Sequence, residues 1–319
     1  MSRTDVAARA RTATVPAQPS VVTAAAWLRA PSAAPGVFRV RPLTGEATAS
    51  YVQRLADTYQ LALPQLLDGA GITLTGHGMP PTVELHLSPA ACHHLAALAR
   101  IPLPHLTHTL PHLAPNDAAH HTAAAAHWKR LEAERQPVRA CTLCTRHRSH
   151  GTTDTAWIHQ PPHRLVCPCH QQAAPDPRLT TPIHTQGVPE LATAHHAHQH
   201  LLRHPRAATA WTTARAITTR WYDHQQHLTH RWHTRLGRLY ATNPHLTITG
   251  SASPALLARD LITYPDTVAL ARALATTLPS WHHHTTGDTL TFIAHRLGLP
   301  RFTPAVNDPL RAYLTHARR

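Results

Sequence analysis

Along most of this chain, hydrophobic residues recur at intervals of three and four, the spacing of helices that bury one face. The first clear stripe is Tyr51, Val52, Leu55 and Ala56, opened by Thr44-Gly45-Glu46. A polar break at Tyr59-Gln60 separates it from a second helix over residues 63–70, carrying Leu66 and Leu67. Gly69 and Gly71 end that helix by offering a left-handed cap. Two short helices, a tight turn and the small Ala56 at the crossing predict a helix-turn-helix or a plain helical hairpin. Upstream, Val37-Phe38-Arg39-Val40-Arg41-Pro42 alternates like a short strand and stops at a proline. Ser88-Pro89 predicts a capped helix start, with Leu95, Leu98 and Ala99 on its inner face. Ile101-Pro102-Leu103-Pro104 breaks it, and a further short helix carries Leu106, Leu110 and Leu113. Residues 116–135 are rich in alanine, the best helix former, and read as a solvated linker helix docked by Trp128 and Leu131.

The second half of the chain keeps the same period. Trp211, Ala214, Thr218, Trp221, Gln225, Leu228, Trp232, Leu236 and Leu239 predict a long amphipathic helix or a helix pair, flanked by Arg215, Arg220, Arg231, Arg235 and Arg238. Its tryptophans are expected in the core. Short helices follow over residues 254–264, 265–278, 289–297 and 309–317, and Phe292, Ala294, Leu297 and Leu299 suggest a second helix-turn-helix-like unit. The fold class expected is mainly α. Its parts are a disordered basic arm (1–36), a helix-turn-helix-like N-terminal domain (37–113), a linker helix (114–138), a zinc-knuckle or ribbon module (139–175) and a helical C-terminal domain (190–319).

Cysteine spacing changes this picture most. Cys141-Thr-Leu-Cys144 and, after twenty-two intervening residues, Cys167-Pro-Cys-His170 are two knuckles separated by a finger-length insert. A two-residue gap lets each loop curl so that both side chains reach one tetrahedral ion. Cys141, Cys144, Cys167 and His170 are therefore the expected ligands of a structural zinc, with Cys169 able to replace Cys167 or His170. Four protein ligands leave no position for a reactive water. Crowded, odd-numbered cysteines point away from a secreted disulfide scaffold, and no run of about 18 apolar residues is present. A cytoplasmic, nucleoid-associated protein is expected.

Charge then suggests a partner. There are 30 Lys+Arg against 16 Asp+Glu, a formal charge of +14, and Lys129 is the sole lysine. Such an excess favours a polyanion, because each neutralised phosphate releases counterions. Arginine's planar fork also suits phosphate and guanine edges. Arg39, Arg41, Arg54, Arg215, Arg220, Arg231, Arg235 and Arg238 are the candidate DNA contacts. The scattered acids form no cluster for two-metal phosphoryl transfer, and no Gly-rich phosphate loop accompanies Lys129. No catalysis is expected. The histidines of residues 195–200 and 282–284 offer a metal-storage surface as a lesser reading.

Three stretches resemble the TniQ family of Tn7-like transposition systems. They are Arg41-Pro-Leu-Thr-Gly-Glu46 with Ser50-Tyr-Val-Gln-Arg-Leu-Ala56, the Leu95-Ala-Ala-Leu-Ala99 helix, and Cys141-x-x-Cys144 with Val166-Cys-Pro-Cys-His170. Ala47 departs from the serine usual in that family, and no second cysteine cluster follows His170. The resemblance implies a DNA-associated adaptor that links target DNA, or a DNA-bound complex, to an AAA+ ATPase. The alternative is a stand-alone zinc and helix-turn-helix transcription regulator.

Overall fold

Leu43, Gly45 and Glu46 make a tight turn before helix α1 (Thr48–Thr58), which buries Tyr51, Val52, Leu55 and Ala56 as their spacing requires. The computed structural model describes residues 40–113, 123–244, 254–277, 285–299 and 302–316. The basic arm, Arg39 and His282 to His284 lie outside them. Val40 and Arg41, the described part of the expected first strand, are not in a strand. Helix α2 (Leu63–Gly69) follows a turn in which Gln60 takes φ 56°, and it buries Leu63, Leu66 and Leu67. Its exposed residues are Pro64, Gln65, Asp68 and Gly69.

A three-stranded sheet comes next, and it corrects the linker helix. Strands β1 (Thr73–Thr75) and β2 (Val83–Leu87) flank β3 (Ala125–Arg130), which runs parallel to β1 and antiparallel to β2. Ala125–Arg130 is a strand rather than a helix because its backbone is claimed from both sides. Leu85 stands opposite Trp128 and Leu87 opposite Ala126, so alternate side chains enter the core while His127 stays outside. Helix propensity is worth tenths of a kcal/mol per residue and yields to such pairing.

Helix α3 (Pro89–Ala99) starts at Ser88, whose Oγ accepts from the Ala91 amide at 3.2 Å, and α4 (Leu103–Thr109) follows. The Ser88 hydroxyl also receives the Ala125 amide at 3.1 Å, so one side chain caps a helix and fastens β3. Val40, Leu67, Leu85, Leu95, Leu106, Leu110 and Ala126 belong to one apolar cluster that fuses these helices to the sheet.

Beyond the cysteine region, α6 (Glu190–Leu201), α7 (Ala207–Asp223), α8 (Thr229–Thr242), α9 (Pro254–Thr277), α10 (Thr286–Leu297) and α11 (Pro309–His316) form the helical C-terminal part. The tryptophan stripe is a helix pair, α7 and α8. Trp221 and Trp232 are fully buried, and their indole N–H groups donate to Asp308 (3.0 Å) and Asp266 (2.9 Å). The two helices expected over residues 254–278 are one, with Pro265 inside it. Proline removes one backbone donor from a helix. Here Arg235, buried, donates to the nearby Ile262 carbonyl at 2.8 Å and to the Asp266 carboxylate, which supports the backbone around the proline. Among the described residues, no helix is long and apolar enough to cross a membrane.

Candidate metal centre

The cysteine region is built from four two-residue strands, one short α-helix and a 3-10 turn at Pro162–Arg164. Strand β4 (Val138–Arg139) pairs with β5 (Trp157–Ile158), and the Arg139 guanidinium lies 4.0 Å from the Trp157 ring centroid. Helix α5 (Thr142–Arg148) begins just after Cys141, which places Cys144 in its first turn. The second knuckle is a tight hairpin. The Cys167 amide donates to the Gln172 carbonyl at 2.8 Å, the Gln171 amide donates back to the Cys167 carbonyl at 3.0 Å, and Gln171 takes φ 49°. Strands β6 (Gln172–Ala173) and β7 (Ile183–His184) continue from it. The knuckles are locked together by Gln172, whose Oε1 accepts from both the amide and the hydroxyl of Thr142 at 3.1 Å. A residue of the second knuckle thus caps the helix of the first.

Cys141, Cys144, Cys167 and His170 converge, with their ligand atoms all within 4.8 Å of one another. The His170 Nδ1 lies 3.4 Å from Cys141 Sγ, 3.3 Å from Cys144 Sγ and 3.8 Å from Cys167 Sγ, and the last two sulfurs are 3.7 Å apart. Ligands on one tetrahedral zinc, about 2.3 Å away for sulfur and about 2.0–2.1 Å for nitrogen, stand about 3.8 Å (S···S) and about 3.5 Å (S···N) apart. The observed edges fit that tetrahedron, so the donor set suits a metal such as zinc. Cys169 is exposed and stands outside the cluster. Hydrogen bonding by the Cys141 thiol holds Cys167 down to about 4, the same interaction holds Cys141 well above the ordinary thiol value, and burial pushes Cys144 up to about 11. A bound cation deprotonates coordinating thiols outright.

The segment before α1 is bound to this region. Gly45 takes φ +80°, and a Cβ there would stand 2.8 Å from the His159 carbonyl oxygen. Its carbonyl accepts from the His159 amide at 2.6 Å, and the Ala47 amide donates to Trp157 at 2.9 Å. Glu46, fully buried, accepts two hydrogen bonds from Arg54 (Nε and Nη2, both 2.7 Å) and one from Ser50 at 3.1 Å. Arg54 then donates through Nη1 to Ser149 Oγ (2.8 Å), just past α5, and through Nη2 to the Arg41 carbonyl (3.0 Å).

Residues 37–173 match the family model TniQ. This segment is a TniQ family domain. The family is one of transposition proteins. No curated protein and no solved structure matches the chain. The TniQ domain holds all four clustered side chains, and its match ends at Ala173 in β6. Val166 and Ala173 at its edge pack with Leu191, Leu239 and Leu261 of the C-terminal helices, so the apolar contact continues past the TniQ domain.

The arginines separate into two groups. Arg54 and Arg235 are 1% and 4% exposed and are committed to Glu46 and Asp266, which corrects their assignment as DNA contacts. A buried ion pair cannot offer its guanidinium to phosphate without uncovering a buried carboxylate. Arg41 and Arg220 are exposed. Arg215 and Arg238 are exposed and pair with Asp260 and Glu190, while Arg231 is part-buried against Asp266. Among the histidines of residues 195–200, His195 and His198 lie in the core and His196 and His200 face outward. Sequence reasoning missed the partnership of Glu46 with Arg54. The signal was present as an acid, a serine and an arginine spaced by four at positions 46, 50 and 54, with Glu46 in the turn just before α1.

Proposed function

We propose that the chain is a non-catalytic, DNA-associated adaptor that links target DNA, or a DNA-bound complex, to an AAA+ ATPase of a transposition system. The observation carrying this reading is the TniQ domain with its converged Cys141, Cys144, Cys167 and His170 set. Zinc is the proposed ion and its role is structural, because the four protein donors fill a tetrahedral shell. The proposed DNA-facing arginines are Arg41, Arg215, Arg220, Arg231 and Arg238. Exposed ion pairs such as that of Arg215 with Asp260 are worth little and exchange readily for phosphate. The exposed residues of α2 include no arginine or lysine, which favours an adaptor over a solitary regulator reading DNA with that helix.

Affinity capture of the tagged protein from its native cells, followed by mass spectrometry, tests the proposal. Recovery of an AAA+ ATPase or a transposase is the expected result. Recovery of DNA fragments with neither protein would replace the adaptor with the stand-alone zinc and helix-turn-helix regulator.

A further inference from the structure

A second converging set of metal-type donors lies where the sheet meets the cysteine-region ribbon. Glu84, from β2, is fully buried. Its Oε1 accepts the amides of Ala49 and Leu85, each at 2.9 Å, which fixes the carboxylate and leaves Oε2 aimed at His159 Nε2, also 2.9 Å away. His159 follows β5 and is itself pinned, through its amide, to the Gly45 carbonyl. The third member is His112, shortly after α4. Its ring meets that of His159 edge-on at a centroid distance of 4.3 Å, and its candidate nitrogen lies within 4.8 Å of the other two ligand atoms.

Two readings of the Glu84–His159 contact compete. One is a buried hydrogen bond and nothing more. The other is a pair of adjacent ligands, since oxygen and nitrogen bound at about 2.1 Å and at right angles stand about 3.0 Å apart. Three features favour the second. His112 brings another imidazole to the same point, whereas a hydrogen-bonded pair needs no third donor. His112 and His159 also line a cavity of about 640 Å³, which Gly45, Arg135, Gln160 and Arg164 border as well, so the site has room for water on an ion. Finally, the imidazoles form a row. The exposed His127 stacks on His86 at 5.5 Å, and His86 lies 6.3 Å from His112, so nitrogen donors lead from the surface to the buried carboxylate. A metal site needs such an entry path.

We propose that Glu84, His112 and His159 form a second metal site, separate from the cysteine centre, for a first-row divalent transition cation of the zinc type. Two imidazoles and one carboxylate suit such an ion and leave coordination positions open toward the cavity. The ion would join β2, the segment after α4 and the end of β5, and so fasten the sheet to the ribbon at a point away from the sulfur ligands.

The test uses the full chain and zinc alone, titrated in competition with a chromophoric chelator so that weak surface histidines do not register. Two zinc equivalents per chain are expected. His112→Ala and His159→Gln should each lose one equivalent and keep the other. Glu84→Gln, which preserves an acceptor for Ala49 and Leu85 while removing the anionic ligand, should do the same. Cobalt supplies an independent readout: thiolate charge-transfer absorption should saturate at the first equivalent, and the second should add only weak visible bands. A single zinc equivalent in the unmodified chain would overturn the proposal. So would a second equivalent that survives His112→Ala and Glu84→Gln, because it would belong to other histidines.

Discussion

The N-terminal part and the C-terminal helices solve the same problem differently. In the first, strands of two residues and a helix of seven hold the cysteine region, and such pieces cannot persist on their own backbone hydrogen bonds. They are held by polar clips instead, Glu46–Arg54–Ser149 and Thr142–Gln172, beside the converging Cys141, Cys144, Cys167 and His170. In the second, long helices pack around Trp221, Trp232, Leu270 and Leu274, and buried polar groups such as Asp266 and Asp308 serve the tryptophans and the helix ends. A region whose order rests on a few directional contacts fails abruptly when one is removed. A region whose order rests on apolar area loses stability in increments.

Removing the metal ligands should therefore produce the largest difference between the halves. Cys144→Ala or strong chelation is expected to strip amide-exchange protection from residues 138–173 while α7 and α9 stay protected. Structural zinc contributes on the order of 10 kcal/mol to small zinc-dependent folds. Unchanged exchange and thermal unfolding after metal removal would sink the structural role.

Next comes Arg54→Ala, which strands Glu46 as a buried, unpaired carboxylate and should cost about 3–5 kcal/mol. Chemical denaturation would measure it, and a loss below about 1 kcal/mol would mean that the clip is dispensable. Arg220→Ala, made in parallel, should leave stability within about 0.5 kcal/mol of the parent.

A smaller, pH-dependent loss belongs to the C-terminal half. Burial pushes His198 down to about 4 from an ordinary value of 6.5, with the positive charge available to His163 and His195 acting in the same direction. Its ring stacks on Trp211 at 4.1 Å and hydrogen-bonds Tyr264 at 3.0 Å. Between those two pH values the unfolded chain binds the proton and the folded chain does not. Stability is thus intact above about pH 6.5 and falls as pH drops toward 4, by on the order of 3 kcal/mol in full. His198→Gln should flatten this part of the stability profile. A wild-type profile already flat between these values would contradict the assignment.

The smallest effect concerns DNA. Arg220→Ala should weaken nonspecific binding modestly and reduce the salt slope by about 1. Binding that ignores salt would remove the arginines from the interface.

How much of this was legible in the sequence followed the same division. Helices with local start signals, such as Ser88-Pro89, and stripes with regular spacing, such as Trp211 to Leu239, were readable because their causes lie within a few residues. The convergence of Cys141, Cys144, Cys167 and His170 was readable because the knuckle spacing brings such side chains together. The third strand was not readable, because Ala125–Arg130 is extended only through partners some 40 to 50 positions away. Pro265 was misread as a helix start because proline favours that position, and the arginine that supports an interior proline comes from another helix. Arginine 54 and arginine 235 were misplaced for a related reason: charge counts as surface until a buried acid is found to meet it.

The turn at Gly45 limits how portable the cysteine region is. Its insert supplies the backbone groups that accept and donate to residues 45 and 47, so the two stretches were shaped as one interleaved piece despite lying over 100 positions apart. Cutting at the knuckles would expose a ribbon edge in the fragment and uncover Glu46 in the remainder. Swaps between relatives should therefore exchange residues 40–58 together with 138–173, as a single graft in two segments.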